Sequence, residues 1–303
     1  MSVIFGLTAA LCWGGADMLA RSVTRRIGTI RTLLGMQALG FVGLTVLLLA
    51  TGGLATHAHV GWQGWAWALL AALLSTVGSL VLYRAFEIGI ISVVSPIAAT
   101  YAAVAVVLAL LTGTRLSALH GMGIVVTLVG VGLAAAGAAS DTLAGVDTPL
   151  GAAAPHAITK AGATQAMLLA ALSSLLFGVT FWLFGWRVTP LLGGIAPVWV
   201  VRLTAASLMG VVVLAGGDAR PRAAVLPTWL WGALAGVALL DTLGYVANVA
   251  GLATGDVAAV NVLSSLFSAV TVLLAGIFLR EQLLVRQWVG IGVILLGVVL
   301  VSL

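Results

Sequence analysis

Runs of about twenty apolar residues, each closed by glycine, proline or a charge, recur along the whole chain. A bilayer core about 30 Å thick takes roughly 20 helical residues to cross. The runs therefore predict ten spans, near residues 2–20, 32–51, 63–85, 90–111, 119–139, 164–186, 194–216, 227–252, 257–278 and 285–303. They are continuous rather than alternating, which excludes a transmembrane barrel with its apolar-out, polar-in strands. The one long polar interval, 140–163, reads as a linker between halves of five spans each, 1–139 and 164–303. The first run is followed by arginines rather than by a small-residue cleavage site, so it reads as a span and not a signal peptide.

The halves resemble each other. Residues 121–133 read GMGIVVTLVGVGL and residues 288–300 read WVGIGVILLGVVL, while LLLATGG at 47–53 matches VVVLAGG at 211–217. Because five is odd, a duplicated second half enters from the opposite face. That is an inverted-topology repeat, typical of secondary transporters with a midplane site. The predicted fold is all-α integral membrane, ten transmembrane helices as two inverted five-helix repeats around a central cavity.

Composition narrows the classes further. Hydrophobic residues make up 62% of the 303 and charged residues 7%, against about 25% charged in soluble domains. A water-soluble enzyme and a disordered chain are both excluded. The net charge of +5 comes from cations scattered between apolar runs, which argues for topology and against nucleic acid. With the amino terminus outside, the cytoplasmic loops hold Arg21, Arg25, Arg26, Arg31, Arg84, Lys160, Arg220, Arg222, Arg280 and Arg286, and the other side keeps Arg115 and Arg187. Positive residues near span ends favour the cytoplasm, so both termini are expected outside, in a bacterial inner membrane with lipid as the surrounding partner.

Enzyme motifs are absent from the sequence. There is no HExxH, CxxC or GxxxxGK[ST], and His57, His59, His120 and His156 fall in or beside loops. The single cysteine, Cys12, excludes an intramolecular disulfide and a thiolate metal cluster. No catalytic residue, metal site or cofactor is expected. Without a nucleotide-binding domain, any pumping draws on a proton or ion gradient; the oligomeric state stays open.

Polar groups inside spans are costly and mark candidate sites. On the eighth span Asp241, Tyr245 and Asn248 lie at i, i+4 and i+7, one helix face. The ninth carries Asn261, Ser264, Ser265 and Ser268, the third Ser75, Ser79 and Tyr83, and the fourth Ser92, Ser95, Pro96, Thr100 and Tyr101. The repeat register sets Pro96 opposite Asn261 and Thr76 opposite Asp241, so the two pairs of spans line one interior. Serine stripes also let membrane helices approach closely, and that role stands beside substrate contact. Asp241 has no cation within one helical turn. Such a carboxylate needs pairing in low dielectric, and either Arg202 on the seventh span or a cationic group on the substrate supplies it.

Asp17, four residues before Arg21, reads as a local ion pair, and Arg84 with Glu87 as another. Trp62, Trp65, Trp67, Trp229, Trp231 and Trp288 fall near span ends as interfacial anchors. Trp13, Trp182 and Trp199 are deeper. The candidate substrate cavity is thus Trp13, Ser79, Tyr83, Tyr101, Trp182, Trp199, Arg202, Asp241, Tyr245, Asn248, Asn261 and Ser265. The uniformly apolar fifth and tenth spans belong at the periphery.

Residues 279–300, LREQLLVRQWVGIGVILLGVVL, resemble the carboxy-terminal signature of EamA-type carriers in the drug/metabolite transporter superfamily. The segment LTAALCWGGADML at 7–19 is similar to that family's first span with its Trp13–Gly14 pair, and Arg202 resembles a recurrent arginine of the seventh span. The resemblance covers nearly the whole chain as two EamA repeats. It implies ten helices around a cavity and export of amino acids or other small metabolites. Two departures stand out: Thr114–Arg115 replaces the glutamate that matches Glu281, and the chain ends lack cationic tails. The family's usual orientation has both termini inside; the charge count points the other way and is followed here. A small-molecule substrate is therefore expected, amino acids first and lipophilic cations second. A non-transporting intramembrane enzyme or receptor is the alternative from another class.

Overall fold

The computed structural model describes residues 1–53, 60–115, 117–144, 160–217, 227–278 and 285–302. These residues form ten helical spans with no strand among them. They are α1 (Ser2–Ile27), α2 (Thr29–Ala50), α3 (Trp62–Ile88), α4 (Ile91–Leu111), α5 (Ala118–Ala144), α6 (from Lys160), α7 (Ile195–Leu214), α8 (Thr228–Leu252), α9 (Val257–Phe278) and α10 (Val285–Ser302). Eight described helices are long and apolar enough to cross a membrane, and α5 carries the apolar stretch Gly121–Gly130.

Helix α1 runs past the expected end at residue 20, because no glycine or proline intervenes before Gly28 and arginine is a good helix former. Arg25 and Arg26 lie in its last turn, where cations complement the helix dipole. Gly28 then turns the chain with φ 87°, a conformation that favours glycine, and α2 begins at once. The predicted linker is also trimmed, since α5 continues to Ala144 and α6 starts at Lys160. Residues 145–159 lie outside the described residues. So do His57, His59, His156, Arg220, Arg222, Arg280 and Glu281.

Three spans are irregular. Helix α4 breaks after Ile91–Ala99 and resumes at Tyr101–Leu111, with Pro96 inside the first piece. Helix α9 breaks between Val257–Ser264 and Phe267–Phe278 without a proline. There the side chains compete with the backbone ladder: Ser264 Oγ donates to Asn261 O (3.1 Å), Ser265 Oγ to Val262 O (2.6 Å) and Asn261 Nδ2 to Val257 O (2.9 Å). Thr100 Oγ1 does the same to Ile97 O at 2.7 Å in α4. Such back-bonding bends helices and satisfies carbonyls that would be costly to orphan in a bilayer. Helix α6 passes from Lys160–Leu183 through a π-helical turn, Phe184–Val188, into Thr189–Leu192.

The packing has an exchange symmetry. Helix α1 packs on α8 and α9, and α6 packs on α3 and α4; α7 packs on α3, and α2 packs on α8. Swapping each helix with the one five places on converts the first member of each set into the second. The pairs α2 with α7, α4 with α9 and α5 with α10 map onto themselves. Close approaches repeat as well. Gly14 of α1 seats Val270 of α9, and Gly178 of α6 seats Val104 of α4. Gly244 carries the Trp13 ring, and Gly78 faces Phe177.

The last pairing shifts the repeat register by one residue. Gly244 follows Gly78 by 166 residues, aligning LLSTVGS at 73–79 with LLDTLGY at 239–245. Ser75, not Thr76, stands opposite Asp241, and Ser95, not Pro96, opposite Asn261. Close helix contact at glycine sets this register, which apolar similarity alone left loose by one position.

Candidate functional site

A cavity lies between the two halves. Its walls are Trp13 and Asp17 of α1, Ser79, Leu82 and Tyr83 of α3, Ala98 and Tyr101 of α4, Phe177 and Phe181 of α6, Asp241 and Tyr245 of α8, and Phe267 of α9. Among the described residues, none of α5 or α10 lines it. It offers about 40 Å³ to the centres of water molecules, room for a few waters at roughly 10–15 Å³ each.

The walls are aromatic. Trp13 meets Phe181 at 5.3 Å between centroids and Tyr245 at 5.5 Å with rings at 75°. Tyr101 meets Phe181 at 5.2 Å. These tilted and edge-on geometries suit ring quadrupoles. Gly244 makes the Trp13 position possible, because a Cβ there would lie 2.6 Å from the indole. The Trp13 Nε1 donor is buried and has no hydrogen-bond partner among the described residues.

The charges are arranged unevenly. Arg202 of α7 is fully buried, its Nη1 lying 2.6 Å from Asp241 Oδ2 and donating to Gln37 Oε1 at 2.8 Å. Its Cζ sits 5.0 Å over the Tyr245 ring. Gly40 makes room for this side chain, since a Cβ there would lie 3.1 Å from Arg202 Cδ. Arg202 therefore stands behind Asp241 and outside the cavity wall. Asp17, which the sequence pairs with Arg21, is part of the wall. It is 6% exposed, and its Oδ2 has no hydrogen-bond partner among the described residues.

Among the sequence-derived candidates, Trp13, Ser79, Tyr83, Tyr101, Asp241 and Tyr245 come together on the wall. Asn248, Asn261 and Ser265 are buried beside it and bonded to protein: Asn248 Nδ2 donates to Ser264 Oγ at 3.0 Å, while Asn261 and Ser265 bond to carbonyls of their own helix. Tyr101 Oη and Ser264 Oγ lie 2.6 Å apart, and Tyr245 Oη and Ser75 Oγ 2.5 Å, joining α4 to α9 and α3 to α8. The structure does not bring Trp182 or Trp199 to the cavity. Trp182 stacks on Trp186 and donates to Thr112 Oγ1, and Trp199 packs on Phe41 and donates to Thr45 Oγ1.

Sequence reasoning read Asp17 as a local ion pair rather than a cavity residue, and passed over Gln37, Phe177, Phe181 and Phe267. Trp13 and Asp17 lie at i and i+4, as do Phe177 and Phe181, and that spacing was the available signal. Farther out, Glu87 pairs with Arg84 at 3.0 Å as its spacing suggests, and also accepts from Thr29 Oγ1 at 2.6 Å at the start of α2. Arg25 Nη2 donates to Gly89 O at 2.6 Å, tying the end of α1 to the end of α3. Among the described residues no group of three histidine, cysteine or acidic side chains is placed to hold a metal.

The sequence profile described as the EamA-like transporter family matches residues 1–136 and 164–303. No curated protein sequence matches the chain. A crystal structure sharing 18% identity superposes with a TM-score of 0.70, over 99% of this chain and 96% of its own. At that identity the likeness speaks for the fold alone.

Proposed function

The chain belongs to the EamA-like transporter family of membrane transporters, and on that premise we propose that it is a secondary transporter exporting small amphipathic metabolites by alternating access between two inverted repeats, residues 1–139 and 164–303. The carrying observation is the central cavity, whose wall draws α1, α3 and α4 from one half and α6, α8 and α9 from the other. The exchange symmetry of the packing supports the same reading. Rocking one half against the other would loosen the contacts of α1 with α8 in one state and those of α6 with α3 in the other. Because these two sets of contacts are built alike, neither arrangement gains much energy over the other, as two interconverting states require. The breaks in α4 and α9, both bordering the cavity, are the natural places for bending.

An aromatic wall with carboxyl groups suits a molecule with an apolar body and an amino group. Amino acids are the class favoured by the sequence. Lipophilic cations are the second reading, favoured by the closure of Arg202 on Asp241, which leaves the aromatic wall with Asp17. The alternative of an intramembrane enzyme calls for paired carboxylates or a His–Ser set; the bond of Asp241 to Arg202 favours the transport reading over it.

Orientation is read from charge. Arg21, Arg25, Arg26, Arg31 and Arg84 gather where α1 and α3 end and α2 begins, and the positive-inside rule makes this face cytoplasmic. Both termini then lie outside a bacterial inner membrane, with a proton or ion gradient as the energy source. Flux into proteoliposomes of a panel of amino acids and organic amines, with and without a proton gradient, tests the reading. No protein-dependent flux of any member would refute it.

A further inference from the structure

We propose that the cavity selects an organic monocation, an amphipathic ammonium without a carboxylate, and that the Asp17 carboxylate anchors it. This deepens the transporter reading and rests on it. Among the described residues, the charged side chains on the cavity wall are Asp17 and Asp241. Asp241 is compensated from behind, by the direct bond to Arg202 Nη1. Arg202 is fully buried, is also bonded to Gln37, and contributes nothing to the wall. Asp17 is part of the cavity wall and 6% exposed, and its Oδ2 is buried without a hydrogen-bond partner among the described residues. The Thr271 hydroxyl lies within hydrogen-bonding reach of its carboxyl and also donates to Phe267 O at 2.8 Å. A buried carboxyl without a partner ionises only against a cation; once an ammonium meets Asp17, the set Asp17, Asp241 and Arg202 carries one net negative charge to balance it.

An ammonium group entering this space gains a charge-assisted hydrogen bond to Asp17 and the faces of Trp13, Phe181, Tyr245 and Phe267, which attract cations. The rest of its body is apolar, as the wall is. An amino acid brings the same ammonium together with a carboxylate. That carboxylate would meet two carboxyl groups, with the Arg202 guanidinium behind one of them. Trp13 Nε1 could donate to it but carries no charge to offset it. The rival outcome is a swing of Arg202 toward the cavity, since its Nε and Nη2 lack hydrogen-bond partners among the described residues. Such a swing breaks the Asp241 bond and would make the cavity accept zwitterions.

Phenethylamine and phenylalanine differ by the carboxylate alone and separate these outcomes. Isothermal titration of the purified full chain in detergent at neutral pH is expected to show phenethylamine binding at least about tenfold more tightly, the worth of about 1.4 kcal/mol. Asp17→Asn is expected to weaken phenethylamine by about tenfold or more, with Asp17→Glu restoring part of the loss. Phenylalanine binding equally or more tightly, failure of both ligands to bind, or an unchanged affinity in Asp17→Asn overturns the proposal. The comparison of two ligands on the unsubstituted protein decides even if Asp17→Asn fails to fold. Proteoliposome flux keeps the two readings apart. Preference for the amine in binding, without flux, overturns transport and leaves the site. Flux of phenylalanine with no amine binding overturns the site and leaves transport.

Discussion

The Arg202–Asp241 pair gives the most direct energetic test of the interior. Its two members are not equivalent: the Arg202 side chain is 0% exposed and that of Asp241 is 14% exposed at the cavity edge. Asp241→Asn keeps the shape and removes the negative charge, leaving the guanidinium with Gln37 Oε1 and the Tyr245 ring but, among the described residues, without an anionic partner. Breaking a buried pair from one side costs about 3–5 kcal/mol, roughly a hundredfold to several thousandfold in the unfolding constant. Arg202→Met leaves Asp241 beside a cavity that can hold water and leaves Gln37 without its donor, a cost nearer about 1–3 kcal/mol. The double variant removes both charges and is expected to recover most of the loss, because replacing a whole buried pair is often close to neutral. Unfolding in mixed detergent micelles, followed by tryptophan fluorescence, completes the cycle. A cost below about 1 kcal/mol for Asp241→Asn, or a double variant equal to the sum of the singles, would refute the view that the buried arginine depends on this carboxylate.

Gly244→Ala would drive a Cβ to 2.6 Å from the Trp13 ring, so a loss of about 1–3 kcal/mol and weaker ligand binding are expected. At its counterpart Gly78 the same Cβ would meet Phe177 at an ordinary 3.4 Å, and Gly78→Ala is expected to unfold like the unsubstituted protein; equal losses at the two sites would contradict the packing. Glu87→Gln removes the charge from a carboxylate that is 6% exposed, pairs with Arg84 and accepts from Thr29, so its cost in the same micelle titration should exceed about 1 kcal/mol, and a cost near zero would contradict that set of contacts. A periplasm-dependent reporter fused after Leu303 should be active, and an inactive, stably inserted fusion would reverse the orientation read from the arginines.

The length and continuity of the apolar runs settled the helical spans, because a bilayer demands about twenty apolar residues per crossing and the chain supplies them between clear breaks. The start of the ninth span at Val257 was legible to the residue, since Gly255 and the capping Asp256 precede it. The arginine-rich end of α1 was not, because arginine breaks a hydropathy run without breaking a helix. The repeat was legible as a period, but its register was not. Apolar side chains are nearly interchangeable in sequence, and only the seating of Trp13 on Gly244 and of Phe177 by Gly78 fixes which residues correspond. The local signals at the site were also ambiguous. Asp17 has an arginine four residues on, which reads as a surface-like pair, and nothing in the order of residues says that the side chain turns toward Asp241, 224 positions away. Whether a carboxylate is compensated depends on what the neighbouring helix places behind it. Gln37 and Arg202 sit behind Asp241 and not behind Asp17, and that asymmetry exists only once α2, α7 and α8 are packed together.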